Sequence, residues 1–562
     1  METAIAETRP DDAISFPHAR ENVTRLPERS PAERSIALAI FILSFLYLCV
    51  FRRATWIDLD EGIILQGAQR ILDGQVLYRD FFSFFTPGSY YLLALAFRVF
   101  GDSYLVAHTL LALVGAGFSP ITYLLSRRVC GRQASLLVTG LMTVTAVPLR
   151  FVVLHNWDST LWTCLALYCV VRLLETSSSR WAFAAASFVS ITGLFEQSKG
   201  AGLLLGLGLG FLIIALYGER PNVFNVRYLT IIAVGLAWPL VITLIYFASQ
   251  HALGEMLRSW FWPLQHYSTA NRVPYGHGSL TDEIRQNVFH TGSLGIRILK
   301  AMIFSSPLWV PVLPILGLAF FVRLSVRAFR GSCSQADWRY YVIIAGSISG
   351  LLVSVVIVRV DYLHFIFLQP IFFILLAWII DGRDIRSRFF ERAAPAIGLL
   401  FSVSLLIMAL AVFFQAHAKN TYQTRRGPVS VQTRDTVIDY VQRQTSPGEK
   451  MLIYPYQPTY YYLTATNSPT SFEYYQAGMH TYAQLNEMVR ELSLDPPRFV
   501  LYQPTFAEQV HIAWPNTQAS ALARDPMADY IMRKYQRCAV LTSASEWQFL
   551  FMARRDLTCP NN

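Results

Sequence analysis

Charge is what this chain has least of. Only 15% of its 562 residues are Asp, Glu, Lys or Arg, against 53% that are apolar, and the mean hydropathy is +0.36. A soluble globule of this length needs more charge to cover its surface, so the composition excludes one and indicates a polytopic membrane protein. Acids are the scarcer sign, 37 against 47 basic residues, for a net charge of +10. That excess does not indicate a nucleic-acid partner, because most Lys and Arg stand in short runs between apolar segments, where the positive-inside effect puts them. Cysteine is scarce too. The seven cysteines include no CxxC pair, and no His cluster has zinc spacing. The first apolar run, Ser35 to Phe51, has no small-residue cleavage site after it, which excludes a removed signal peptide and makes it a signal anchor of roughly 17 residues. Finally, no clear internal repeat is present, which counts against a transporter or glycolipid flippase built from repeated halves.

What is present is a series of apolar segments. Residues 1 to 34 mix acids with Arg9, Arg20, Arg25, Arg29 and Arg34, and read as a disordered cytoplasmic tail. After the signal anchor, Ser89 to Phe100 is apolar but too short to cross and reads as an interfacial helix. Tyr104 to Leu125 is long enough, and ends at Arg127, Arg128 and Arg132, a strong cytoplasmic signal. Further spans are expected near 134–153, 159–174, 181–196, 201–217, 228–249, 299–322, 340–358, 363–380 and 394–414, about eleven in all. The loops this puts inside hold Arg172 and Arg180, Arg220 and Arg227, Arg323, Arg327, Arg330 and Arg339, then Arg383, Arg386, Arg388 and Arg392. Those it puts outside are mostly aromatic or polar, as in HNWDS at 155–159 and the loop 261–278; Arg52 and Arg53 speak mildly against an outside first loop, and the loops downstream decide. Beyond 415 the composition becomes that of a soluble domain. Strand-like runs at Met451–Tyr454, Phe499–Tyr502, Cys538–Leu541 and Trp547–Met552 alternate with helical patterns at 433–444, 481–492 and 525–535, which predicts a small α/β domain. The expected fold class is thus an α-helical polytopic membrane protein with a C-terminal extracytoplasmic α/β domain. Its parts are a tail at 1–34, a membrane domain at 35–415 with its first outside loop at 52–103, and the outside domain at 416–562. Only Cys538 and Cys559 fall in that last domain; they form one disulfide, which an oxidising compartment permits, or remain two unrelated thiols.

The stretch from Trp56 to Gly88 in the first outside loop carries Asp58, Asp60 and Glu61 within four residues. One reading makes them only a helix cap for GIILQGAQRIL, where acids are favourable. Lys199, in EQSKGAG, interrupts a nearly charge-free region, and an ionisable residue there is a functional candidate unless Glu196 simply neutralises it. RVDYLH places Arg359, Asp361 and His364 at the outside end of a span, where Arg suits phosphate oxygens, Asp361 can hold it and His364 can donate a hydrogen bond. Interfacial anchoring is the alternative. His155 and Asp158 lie outside by the same topology, Asp158 as a site residue or a helix cap. Trp260, Trp262, His266 and Tyr267 suit either sugar stacking or the membrane interface.

Asp60 and Glu61 shortly after the first span, GQVLYRDFF at 74–82 and TPGSYYLLALAFRVFG at 86–101, together resemble the first outside loop of GT-C glycosyltransferases. The likeness is to glycosyltransferase family 39 and its bacterial relatives, which include protein O-mannosyltransferases and lipid A aminoarabinose transferase. It covers residues 35 to about 380 in layout, and the C-terminal domain is similar to those of bacterial members. The resemblance implies transfer of a sugar from a polyprenyl phosphate to a hydroxyl of a glycan, lipid or protein acceptor outside the cytoplasmic membrane, with inversion if the acceptor attacks directly. It also implies that Asp60, first acid of the pair, is the base, with Glu61 orienting the acceptor or helping a divalent metal. Lys199 sits where related transferases have a Lys-Gly pair, and joins Arg359 and His364 as candidate contacts to the donor phosphate. Asp158 matches a second acidic position of the family and would join Asp60 and Glu61 around any cation. No cofactor is otherwise implied. One departure stands out: the aminoarabinose branch has Glu-Lys before the proline of this loop, whereas Phe85 and Thr86 precede Pro87 here. Arg79 or Lys199 would have to replace that lysine. An O-antigen ligase or polymerase, the remaining alternative, would depend on arginines in a large outside loop and not on this acidic pair.

Overall fold

The computed structural model describes residues 31–55, 57–217, 225–275, 290–304, 309–331, 338–381, 388–417, 420–522 and 524–560, with backbone alone at 267–270, 303–304, 388–391, 394, 509 and 512. Most of the tail at 1–34, Trp56, Cys333, Arg220, Arg383 and Arg386 lie outside the described residues, as does the side chain of Tyr267. Among the described residues every named element from Pro31 to Ala416 is a helix, and every named strand lies beyond it.

Seven helices among the described residues are long and apolar enough to cross a membrane: Pro31–Phe51, Tyr104–Ser126, Gln197–Tyr217, Val226–Ser249, Val312–Phe329, Trp338–Val358 and Pro395–Ala416. The chain is a mostly helical, multi-pass membrane protein with a small sheet-bearing region. The expected spans at 134–153, 159–174, 181–196 and 363–380 correspond to Arg132–Thr145, His155–Thr176, Ser179–Phe195 and Gln369–Asp381, which are shorter or more polar. Two expectations are corrected. Among the described residues the single span expected at 299–322 is not one helix: Leu294–Phe304 and Val312–Phe329 are separate, the second with Pro311 as its N-cap. The loop at 261–278 begins inside a helix, Leu253–Ala270. Gly88–Phe100 is the short helix expected before the second span.

Small residues let the membrane helices meet. Gln197–Tyr217 crosses Trp338–Val358 where Gly202 and Gly206 face Gly346 and Gly350; a Cβ on Gly350 would lie 2.0 Å from the Gly202 carbonyl oxygen. At one end of the bundle Glu33 accepts hydrogen bonds from Tyr123 Oη at 2.6 Å and Arg132 Nη2 at 2.6 Å, with Arg127 Nε at 3.8 Å. These contacts hold the start of the first helix beside the 127–132 turn.

At the other end sits the sheet region. A hairpin of β1 (Asn420–Thr424) and β2 (Gly427–Val431) comes first. It lies against the chain leaving the first helix, with Thr55 N donating to Ser430 O at 2.9 Å. A four-stranded sheet follows, in the order β3 (Leu452–Tyr454), β4 (Phe499–Tyr502), β6 (Gln548–Arg554), β5 (Tyr535–Thr542). β3 and β4 are parallel and the other pairs antiparallel. Helices Val437–Gln444, Tyr482–Leu494 and Pro526–Lys534 fall where helical spacing predicts them. Cys538 and Cys559 are bonded to each other. The apolar residues of both regions form one continuous core.

Candidate active site

The three acids of the opening stretch have three different surroundings. Asp58 is the N-cap of Leu59–Leu72: its Oδ1 accepts from the backbone N–H groups of Asp60 at 3.0 Å and Glu61 at 3.3 Å. Burial pushes its carboxyl up to about 6, against the pull of Arg150, whose Nη1 lies 2.6 Å from Oδ2. Glu61 is fully buried. Tyr104 Oη donates to its Oε2 at 3.0 Å, while His108 Nε2 at 2.7 Å and Val153 N–H at 2.8 Å meet its Oε1. Asp60 alone remains half exposed, at 50% of its side-chain surface. Tyr456 Oη donates to its Oδ1 at 3.0 Å, and Arg150 Nη2 to its Oδ2 at 3.4 Å.

The helix that carries these acids is clamped to the sheet region. Thr459 Oγ1 donates to the Asp58 carbonyl, and Gly62 faces the same residue so closely that a Cβ there would lie 2.1 Å from Thr459 N. About two turns farther on, Arg70 pairs with Glu473 at 3.5 Å. Asp60 therefore lies at the seam between the helical bundle and the sheet region.

A second cluster surrounds Lys199. Its Nζ, buried, donates to Asn156 O at 2.8 Å, Ser159 Oγ at 2.8 Å and Thr160 Oγ1 at 3.0 Å, and pairs with Glu196 Oε2 at 2.9 Å. Glu196 in turn accepts from Asn156 Nδ2 at 3.2 Å and Ser159 Oγ at 2.8 Å. Both the structural pair and a cavity are present, since Lys199, Glu196, Asn156 and His364 line one small pocket with Ser354 and Phe367.

Arg359, Asp361 and His364 form a relay beside it. Arg359 Nε meets Asp361 Oδ2 at 2.5 Å, and its Nη1 and Nη2 donate to Asn271 Oδ1 at 3.3 Å and the Ala513 carbonyl at 3.0 Å. His364 Nδ1 lies 2.7 Å from Asp361 Oδ1. Burial works to raise the Asp361 carboxyl, but His364 and Arg359 hold it well below the usual carboxylate range. His155 lies against Phe85, the rings tilted with centroids 4.3 Å apart, and is within electrostatic reach of Asp60, Glu196, Lys199 and His364.

Other sequence candidates fall elsewhere. Asp158 is buried with Ser89 Oγ donating to its Oδ2 at 2.5 Å. Arg79 is exposed, bidentate to its neighbour Asp80 at 2.8 Å, and donates to the Gln250 carbonyl at 3.1 Å. Trp262 and His266 stack with centroids 3.8 Å apart. From them a line of rings runs through Phe82, His480 and Tyr474 to Tyr456, with centroid spacings of 5.4, 5.5, 5.2 and 4.8 Å. Asp60, Glu61 and Asp158 are held by separate partners, and among the described residues no group of three or more His, Cys, Asp or Glu is placed to share a metal ion. These three acids do not fit a common metal site.

Sequence reasoning missed Arg150 and Tyr456. Arg150 was visible as a charge closing the apolar run before HNWDS. Tyr456 carries no local signal, since it lies 396 residues from its partner.

Residues 86–247 match the family model described as dolichyl-phosphate-mannose-protein mannosyltransferase. The matched stretch includes Pro87, Asp158 and Lys199 and agrees with the GT-C resemblance; Asp60 lies before it. No curated protein matches the chain. Among solved structures, the apo oligosaccharyltransferase of Archaeoglobus fulgidus is 12% identical at a TM-score of 0.47, covering 94% of this chain and 75% of that one. The same organism's oligosaccharyltransferase AglB, in complex with an inhibitory peptide and a dolichol-phosphate, is 13% identical at 0.47, covering 95% and 76%. ArnT from Cupriavidus metallidurans, bound to undecaprenyl phosphate, is 12% identical at 0.45, covering 94% of this chain and 99% of that one.

Proposed function

We propose that the chain is a membrane glycosyltransferase that moves a sugar from a polyprenyl phosphate to a hydroxyl of a glycan, lipid or protein acceptor on the outer face of the cytoplasmic membrane. The observation that carries this reading is the environment of Asp60. Of three adjacent acids, one caps a helix, one is sealed in the core, and Asp60 is left half exposed between two fixed donors at the seam of the two regions. A carboxylate so held is available to take a proton.

In the reaction, the acceptor oxygen forms a bond to the anomeric carbon as the bond from that carbon to the phosphate oxygen breaks, and the acceptor proton passes to Asp60. Attack opposite the leaving phosphate inverts the anomeric centre. Asp58 and Glu61 position the helix start, the first through its cap and the second through Tyr104, His108 and Val153. His364, anchored through Nδ1 to Asp361, directs its other nitrogen towards donor phosphate oxygens at the pocket it shares with Lys199. Arg359 and Lys199 supply positive charge beside that phosphate. No metal is assigned a step.

Asp60→Asn should lower transfer by at least about 10²-fold while the variant inserts and melts as the parent does. The check compares surface glycans and lipids, by mass spectrometry, from cells carrying the parent, the variant or neither. Parent-level product from Asp60→Asn removes Asp60 as the base.

A further inference from the structure

The sheet region contributes directly to the candidate centre. Tyr456 follows β3, and its phenol reaches across the seam to Asp60 Oδ1 at 3.0 Å while Arg150 takes Oδ2 at 3.4 Å. The ring is held on several sides: edge-on to Tyr474 at 4.8 Å and Trp514 at 5.6 Å, and stacked towards Phe506 at 6.4 Å. Thr459, three residues on, fixes the same turn to the Asp58 carbonyl and against Gly62. A donor so immobilised sets the rotamer of an otherwise solvent-facing carboxylate, which would lose entropy on ordering without it.

We propose that Tyr456 is the positioning residue of Asp60, so that the C-terminal sheet region forms part of the transfer site and not a separate module; this rests on Asp60 being the base. Through its O–H, Tyr456 keeps Oδ1 aimed into the seam beside the ring line from Trp262, with a lone pair left for the acceptor hydroxyl. Tyr456 itself keeps its proton. Burial, and then the negative charge of Asp60, hold its phenol well above the ordinary range for tyrosine. The hydrogen bond donated to Oδ1 fixes how that oxygen is presented, so its loss should leave the half-exposed carboxylate free to rotate away from the seam. The other groups facing Asp60 are Asp58 and Glu61 on its own helix, Arg150, and His155; Tyr456→Phe leaves all four in place.

The test needs no identified substrate. Full-length protein in detergent is treated with carbodiimide and glycine ethyl ester at one fixed pH, and the rate of incorporation at Asp60 is followed by peptide fragmentation. Tyr456→Phe should raise the labelling rate at Asp60 several-fold relative to the parent, because Oδ1 is no longer engaged by the phenol O–H. Trp514→Phe loosens the same packing but keeps the O–H, and should leave that rate unchanged. An unchanged rate in Tyr456→Phe, or an equal rise in Trp514→Phe, overturns the inference without touching the proposed reaction. Parent-level transfer by Asp60→Asn in the cell assay overturns the reaction instead.

Discussion

Among single residues, the instructive contrast is between charges that are held and charges that are offered. The acidic cluster was legible in the sequence because three acids in four residues stand out against an apolar background, yet their division of labour was not. That division depends on Tyr104, His108, Arg150 and Tyr456, whose approach no local pattern encodes. Lys199 shows the same limit. Spacing allowed both an ion pair with Glu196 and a phosphate contact, and the structure satisfies the pair with three further acceptors. The two roles separate by experiment. Lys199→Met alone strands a buried carboxylate and should cost about 3–5 kcal/mol. Pairing it with Glu196→Gln removes both charges and should restore most of the melting temperature. If Lys199 also faces the donor phosphate, the double variant remains inactive in the glycan comparison; a double variant that regains both stability and product makes the lysine purely structural.

At the scale of elements, strands were readable wherever an apolar run was bounded by turn residues, as at Phe499–Tyr502. The hairpin of β1 and β2 was not, because NTYQT and GPVSV have no such run and are stabilised by backbone contact with Arg53 and Thr55. Leu59–Leu72 was legible as a helix, but not its docking onto the sheet region through Gly62 and Arg70. That docking has a predictable pH dependence. Burial raises the Glu473 carboxyl from an ordinary 4.5 to about 7, with Arg70 opposing the shift. Between those values the folded protein holds a proton that the unfolded chain releases. Its stability contribution is therefore largest below about 4.5 and is lost as pH rises through about 7. Glu473→Gln removes the titration, so its melting temperature should fall less than the parent's over that interval. Equal slopes in parent and variant would refute a burial cost at Glu473.

For the whole molecule, the remaining question is which side of the membrane holds the seam. By the positive-inside effect residues 127–132 are expected inside, and the Glu33 contacts with Arg127 and Arg132 bring the start of the first helix to that same face. The sheet region lies at the far end of that helix, where Thr55 meets Ser430. The Cys538–Cys559 bond is of a kind that persists in oxidising compartments, which supports an extracytoplasmic position. Two exposed positions test the arrangement. In a background with Cys49, Cys130, Cys164, Cys169 and Cys333 changed to Ala, Ser446→Cys should react with a membrane-impermeant maleimide on intact spheroplasts, while Thr176→Cys should react only after permeabilisation. The opposite pattern would put Asp60 on the cytoplasmic side. The donor sugar would then have to be presented on the inner leaflet, and the outer-face reaction proposed for this chain would fail whatever the fate of Asp60→Asn.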